Sequence, residues 1–138
     1  NLLYDAIPPN PAMAGRGNEM NETIGGAHAY YFDDKIEIIA EYQMIEHSAV
    51  VKKFHTGGYA QFAYTINKIK PYYRFDVLNI ESGDAFFQGL DGVVDSKQHT
   101  IGMRYELFPY ASLKVEYRHL KTDILQSNAT TVQISFAF

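Results

Sequence analysis

The sequence has no cysteine and no tryptophan. Without thiols, disulfides and thiolate metal centres are excluded. No apolar run approaches the roughly 20 residues that a membrane-spanning helix requires. Strands remain possible, because a barrel strand crosses with about 9–11 residues that alternate apolar and polar. A basic excess is also missing: the net charge is -4, with both signs interspersed along the chain. This argues against a nucleic-acid partner, which a basic patch would announce. No nucleophile elbow and no EF-hand spacing occur, and the five histidines (28, 47, 55, 99 and 119) lack the paired spacing of a zinc site. No catalytic residue, metal or cofactor is therefore expected, and the chain does not read as an enzyme.

Hydrophobic residues make up 46% of the chain, so it is no disordered tail. Aromatics are 14%, all Tyr and Phe, which favours the pleated surface of a sheet. From residue 23 onward, period-two alternation recurs in segments 23–32, 35–47, 57–66, 69–79, 99–108, 112–121 and 129–138. In one of them Ile101, Met103, Tyr105 and Leu107 oppose Gly102, Arg104 and Glu106. The expected fold is all-β, an antiparallel up-and-down array of about seven strands. Residues 1–22, rich in Pro, Gly and Asn, read as a loop or linker, with "NLLYDAI" a stub of an eighth strand at most.

Alternation does not say which face is wet. A soluble sandwich or barrel points its apolar face inward, whereas a membrane barrel points it at lipid and encloses its charges. Two features favour the membrane arrangement. Tight turns at 33–35, 67–68 and 109–111 alternate with longer loops at 48–56, 80–98 and 122–128. Short turns on one side and long loops on the other mark outer-membrane barrels. Aromatics also gather at the tight-turn ends: Tyr31, Phe32, Tyr64, Tyr72, Tyr73, Phe108, Tyr110, Phe136 and Phe138. Amphipathic rings settle at the headgroup level in this way.

The closing segment "ATTVQISFAF" resembles the assembly signal of Gram-negative outer-membrane proteins, here carried by Val132, Ile134, Phe136 and Phe138. The last 40 residues, with a G-x-x-Y strand, a Pro-centred turn, "LKVEY" and the F-A-F end, are similar to the final strands of porins, those of the phosphate-selective type above all. The resemblance implies a transmembrane β-barrel in the bacterial outer membrane, inserted by the barrel assembly machinery among lipid and lipopolysaccharide. It implies tight turns in the periplasm and residues 1–22 in an outside loop. This chain would then be the C-terminal part of a larger barrel; a complete eight-stranded barrel, with "NLLYDAI" as its eighth strand, is the lesser alternative. Trimers are usual in such families, so a homotrimer is an expectation by resemblance alone.

On this reading the lumen is lined by Glu37, Glu41, Lys70, Arg74, Asp76, Arg104, Glu106, Lys114, Glu116 and Arg118. The five cations would either draw anions through a pore or be neutralised by the carboxylates in a cross-strand lattice, the alternative favoured here. The expected function is diffusion of small hydrophilic or anionic solutes. Two other readings stay open. One is a soluble lipocalin-like barrel that turns Ile101, Met103, Val115, Tyr117, Val132 and Ile134 around an apolar ligand. The other is a barrel anchor or enzyme whose activity lies upstream. Glu46, His47 and His55 flank one loop and could meet on a metal, but a solvated loop is the reading favoured here. Glu81, Asp84 and Asp91 offer only a weak calcium pattern, and Phe86 and Phe87 are expected to order their loop.

Overall fold

A computed structural model describes residues 2–8, 20–87 and 93–137. The chain is all-β and contains no helix among the described residues. Eight strands run in sequence order: β1 (Leu2–Ile7), β2 (Met20–Phe32), β3 (Ile36–Ser48), β4 (Lys52–Tyr64), β5 (Ile69–Ile80), β6 (Ser96–Phe108), β7 (Ala111–Thr122) and β8 (Gln126–Phe136). Each pairs antiparallel with its neighbour in one sheet ordered β1 to β8. The sheet does not close on itself: among the described residues β1 pairs only with β2, and β8 only with β7.

The expected antiparallel up-and-down array is present, with eight strands where about seven were expected. Residues 2–7, expected to be loop, pair with β2 from Leu2↔Gly25 to Ile7↔Met20, and β2 itself begins at Met20. The expected division of loop length is corrected as well. Strands run further than their apolar patterns, so two of the anticipated long loops shrink to connections at 49–51 and 123–125. Only the connections at 8–19 and 81–95 are long on that side. The reason is that polar stretches such as Lys52–Lys53 and Ser96–Lys97–Gln98 extend the backbone ladder without extending the greasy alternation.

The opposite turns are built by local hydrogen bonding. The Asp33 carboxylate accepts the amides of Lys35 and Ile36, both at 2.7 Å, an Asx-type closure. At the next turn Ile66 and Ile69 exchange backbone bonds of 2.8 and 3.0 Å around Asn67–Lys68. Asn67 takes φ 55°, a left-handed conformation that asparagine accepts more readily than most residues.

Among the described residues a conventional core is missing. The buried apolar residues among those described are Met20, Ala63 and Ala111. The register instead sorts the side chains onto two faces. One row across the sheet reads Tyr31, Ile38, Phe62, Tyr73, Ile101, Tyr117. The next reads Pro71, Met103, Val115, Val132. The other face carries the row Glu37, Ala63, Tyr72, Gly102, Glu116, Thr131.

Candidate pore lining and a buried histidine cluster

The apolar rows stand open. Ile101 is 63% exposed, Val132 65%, Ile134 55% and Phe136 61%. Full burial of one such side chain stabilises by about 1.5–3 kcal/mol, so a face of them left bare in water would forfeit much of the available folding energy. Patches larger than a few hundred Å² mark interaction or membrane surfaces. Among the described strand residues, ionic groups reach this face toward the long-connection end alone, at Glu46, Lys52, Lys97 and Lys121, as the register sets them. Below them lies a band of polar rings and amides. Tyr73 shares a 2.6 Å hydrogen bond with His99, and His119 shares one of 2.7 Å with Asn128. Of the proposed aromatic girdle, Tyr31, Tyr64, Tyr73, Phe108, Tyr110 and Phe136 are exposed, whereas Phe32, opposite Glu37, falls on the polar face. Phe138 lies outside the described residues. Tyr72 does not belong to the girdle and lies on the polar face.

On that polar face the ten lining residues are brought together by pleat parity. Lys70, Arg104 and Lys114 stand side by side on β5, β6 and β7. Like charges so placed repel, and each turns to a carboxylate instead. Lys70 reaches Glu37 at 2.9 Å, Arg104 reaches Glu106 at 2.7 Å and Lys114 reaches Glu116 at 2.8 Å. Arg74 binds Asp76 through Nε at 2.8 Å and Nη2 at 2.5 Å and lies 3.7 Å from the Tyr59 ring centre. Arg118 donates to Thr131 Oγ1 at 2.6 Å. Glu41 accepts from Gln43 at 2.9 Å. Of the four ion pairs within this set only Lys70–Glu37 joins different strands, spanning β4; the other three link residues two apart on one strand. The lattice therefore runs mainly along strands, not across them.

Two long side chains of the polar face reach across a neighbouring strand. Tyr72 crosses β6 at Gly102 and donates its hydroxyl to Glu116. A methyl group on Gly102 would overlap the Tyr72 ring. Glycine is needed here for close approach, an aromatic-over-glycine device known to pin register. In the same manner Lys70 passes over β4, in the row next to the 1% exposed Ala63, to reach Glu37.

A second cluster joins His47 and His55 to Asp84, a partner that the sequence reading did not give them. His47 at the end of β3 and His55 near the start of β4 are 1% and 2% exposed, and Asp84 of the β5–β6 connection is 3% exposed. The expectation of solvated loop histidines is thus corrected. One oxygen, Asp84 Oδ2, lies 2.5 Å from His47 Nδ1 and 2.5 Å from His55 Nε2. His47 Nε2 meets Glu22 of β2 at 2.9 Å, and His55 Nδ1 accepts the Glu81 amide at 3.2 Å. Phe86 and Phe87 pack on the imidazoles with ring centres 4.8–5.7 Å away. Burial pushes the Asp84 pKa up, but the Phe86 amide and the two histidines outweigh it and hold the carboxyl below its usual range. Glu46 stays outside the cluster and pairs with Lys52 at 2.6 Å. Glu81 pairs with Lys53 at 3.0 Å, and Asp91 lies outside the described residues. Sequence spacing did not reveal the cluster because Asp84 is 37 residues from His47 and 29 from His55.

No protein family, no curated protein and no solved structure matches this chain.

Proposed function

We propose that this sheet is the wall of an outer-membrane β-barrel pore, through which small hydrophilic solutes diffuse without a chemical step. The observation that carries the reading is the division of the two faces: register-aligned apolar rows stand exposed while ionic side chains bind one another on the opposite face. Its dimensions agree with a bilayer. From Ile36 to Met44 the outer face of β3 is free of charge, a span of about 27 Å along the strand at ~3.4 Å per residue. At a tilt of ~40° this is about 21 Å of height, close to the ~25 Å apolar band of such barrels. The charged residues beyond it then reach the headgroups and water.

A barrel of about eight strands has an interior that side chains fill, whereas aqueous channels take about 16–18. A conducting pore therefore requires these strands to form part of a larger wall, joined through the edges of β1 and β8. Val132, Ile134 and Phe136, with Phe138, would serve the assembly machinery as its recognition strand. The lipocalin-like reading asks for Val132 and Ile134 around an internal ligand, and their exposure speaks against it. The test is reconstitution of the intact protein in planar lipid bilayers. Stepwise, voltage-independent conductance is expected; bilayers that stay silent across a range of protein concentrations refute the pore.

A further inference from the structure

The polar face has a second feature that diffusion does not use. At its long-connection end, His47, His55 and Asp84 present an imidazole nitrogen each and a carboxylate oxygen, all within 4.8 Å of one another. The three come from β3, β4 and the β5–β6 connection. Their side chains are 2%, 2% and 1% exposed. We propose that these residues bind one divalent first-row transition metal, of which zinc is the type, and that the ion pins the β5–β6 connection to the wall.

Four observations converge. Two imidazoles with one carboxylate form a donor set suited to zinc and its neighbours, and unsuited to calcium or magnesium, which take oxygen ligands. Glu22 holds His47 through Nε2 at 2.9 Å, which turns the Nδ1 lone pair toward the centre once a metal is bound. A carboxylate on the remote nitrogen is the usual support of a metal-bound histidine. Phe86 and Phe87 wall the site and lower its access to water. Last, the donors crowd one oxygen at 2.5 Å, closer than the ~2.7–2.9 Å of charge-assisted hydrogen bonds. This places several ligand atoms around a common point, from which metal bonds of ~2.0–2.2 Å require only a small outward movement.

Three contacts must change: the two imidazole–Asp84 hydrogen bonds give way to metal bonds, with the His47 Nδ1 proton leaving to solvent, and the third lies at His55. The Glu81 amide donates to His55 Nδ1 at 3.2 Å, the longest bond of the set. It fixes the proton of metal-free His55 on Nε2, from which it is donated to Asp84. Binding through Nε2 sends that proton to Nδ1, and the Glu81 amide must turn away. Metal binding therefore carries a tautomer switch at His55, and a hydrogen-bonded clamp without metal does not.

The site is independent of the pore reading, because it needs only the strand register and the connection. The test is a zinc titration of the full chain, stripped of metal with a chelator and folded in detergent, followed by calorimetry and imidazole nitrogen NMR. One zinc per chain is expected, with His55 passing from the Nε2–H to the Nδ1–H form. Glu22→Gln, which keeps size and shape, should weaken binding about 10- to 100-fold, and Asp84→Asn should weaken it more. His99→Gln and His119→Gln, both away from the cluster, should leave it unchanged. The absence of saturable one-to-one binding, or an Nε2–H tautomer persisting at saturating zinc, overturns the proposal. So does equal weakening by the His99 and His119 variants. Should Asp84→Asn fail to fold, the His55 tautomer in the unaltered chain still decides.

Discussion

Val132 and Gln133 are adjacent on β8, both exposed, and point to opposite faces. Val132 is 65% exposed and pairs with Val115; Gln133 pairs with Lys114. Along the strand Val132 lies midway between Phe136 and Asn128, about 14 Å from each at ~3.4 Å per residue. If the apolar face meets lipid, Val132→Arg puts a cation near the hydrocarbon middle at a cost of about 2–4 kcal/mol. That is a loss of roughly 30- to 700-fold in the folding equilibrium. Gln133→Arg meets water and the polar wall and should stay within about 0.5 kcal/mol of the parent, as surface substitutions do. The assay is urea-dependent folding into phospholipid vesicles, followed by far-UV circular dichroism and by gel mobility before and after heating. If the two arginines cost the same, or Gln133→Arg costs more, the assignment of faces is wrong and the pore fails with it.

Gly102→Ala should displace the Tyr72 ring from Glu116 and destabilise by about 1.5–3 kcal/mol, the loss of a hydrogen bond to a charged group; in a Tyr72→Ala background the same change should be nearly neutral, and additivity in the double-mutant cycle would refute the contact. Replacing Arg74 and Arg104 together by Gln leaves Asp76 and Glu106 without their partners, so reversal potentials in a salt gradient should move toward cation preference, and an unchanged value dismisses these residues as lining. The Ile36 and Lys35 amides hold the Asp33 carboxyl below its ordinary value of 3.8. A depressed folded pKa gives a contribution that is present above 3.8 and lost as pH falls through the lower folded value. The β2–β3 turn should therefore loosen only in strong acid, read as amide exchange at Ile36, and Asp33→Asn should remove that dependence.

The alternation of β3 to β8 was legible because each strand has one greasy and one polar face. Ile101 against Arg104 and Val132 against Gln133 declared their sides without coordinates. The edge strand β1 was hidden because "LLYDAI" is short and followed by prolines, and its pairing with β2 is decided by register at a distance. The strand extensions at Lys52–Lys53 and Ser96–Lys97 were hidden for a related reason: a backbone ladder persists where side chains carry no apolar period. Tyr72 was placed in the girdle because an aromatic near a strand end suits an interface, although the alternation of β5 already sets it with Lys70, Arg74 and Asp76; the register and the glycine beside it put it on the polar face. The His47–His55–Asp84 cluster was missed for want of any local spacing: β3 and β4 contribute the rings, and a long connection folds the carboxylate back over them.

Tyr72 lies along the wall over Gly102, Lys70 reaches across β4 to Glu37, and nearly every ionic head sits beside an opposite one. A conduit upholstered like this keeps its full bore and offers a passing ion a zwitterionic surface with little far field. Current through it would scale with the salt of the surrounding solution, and permeants would be sorted by girth before sign.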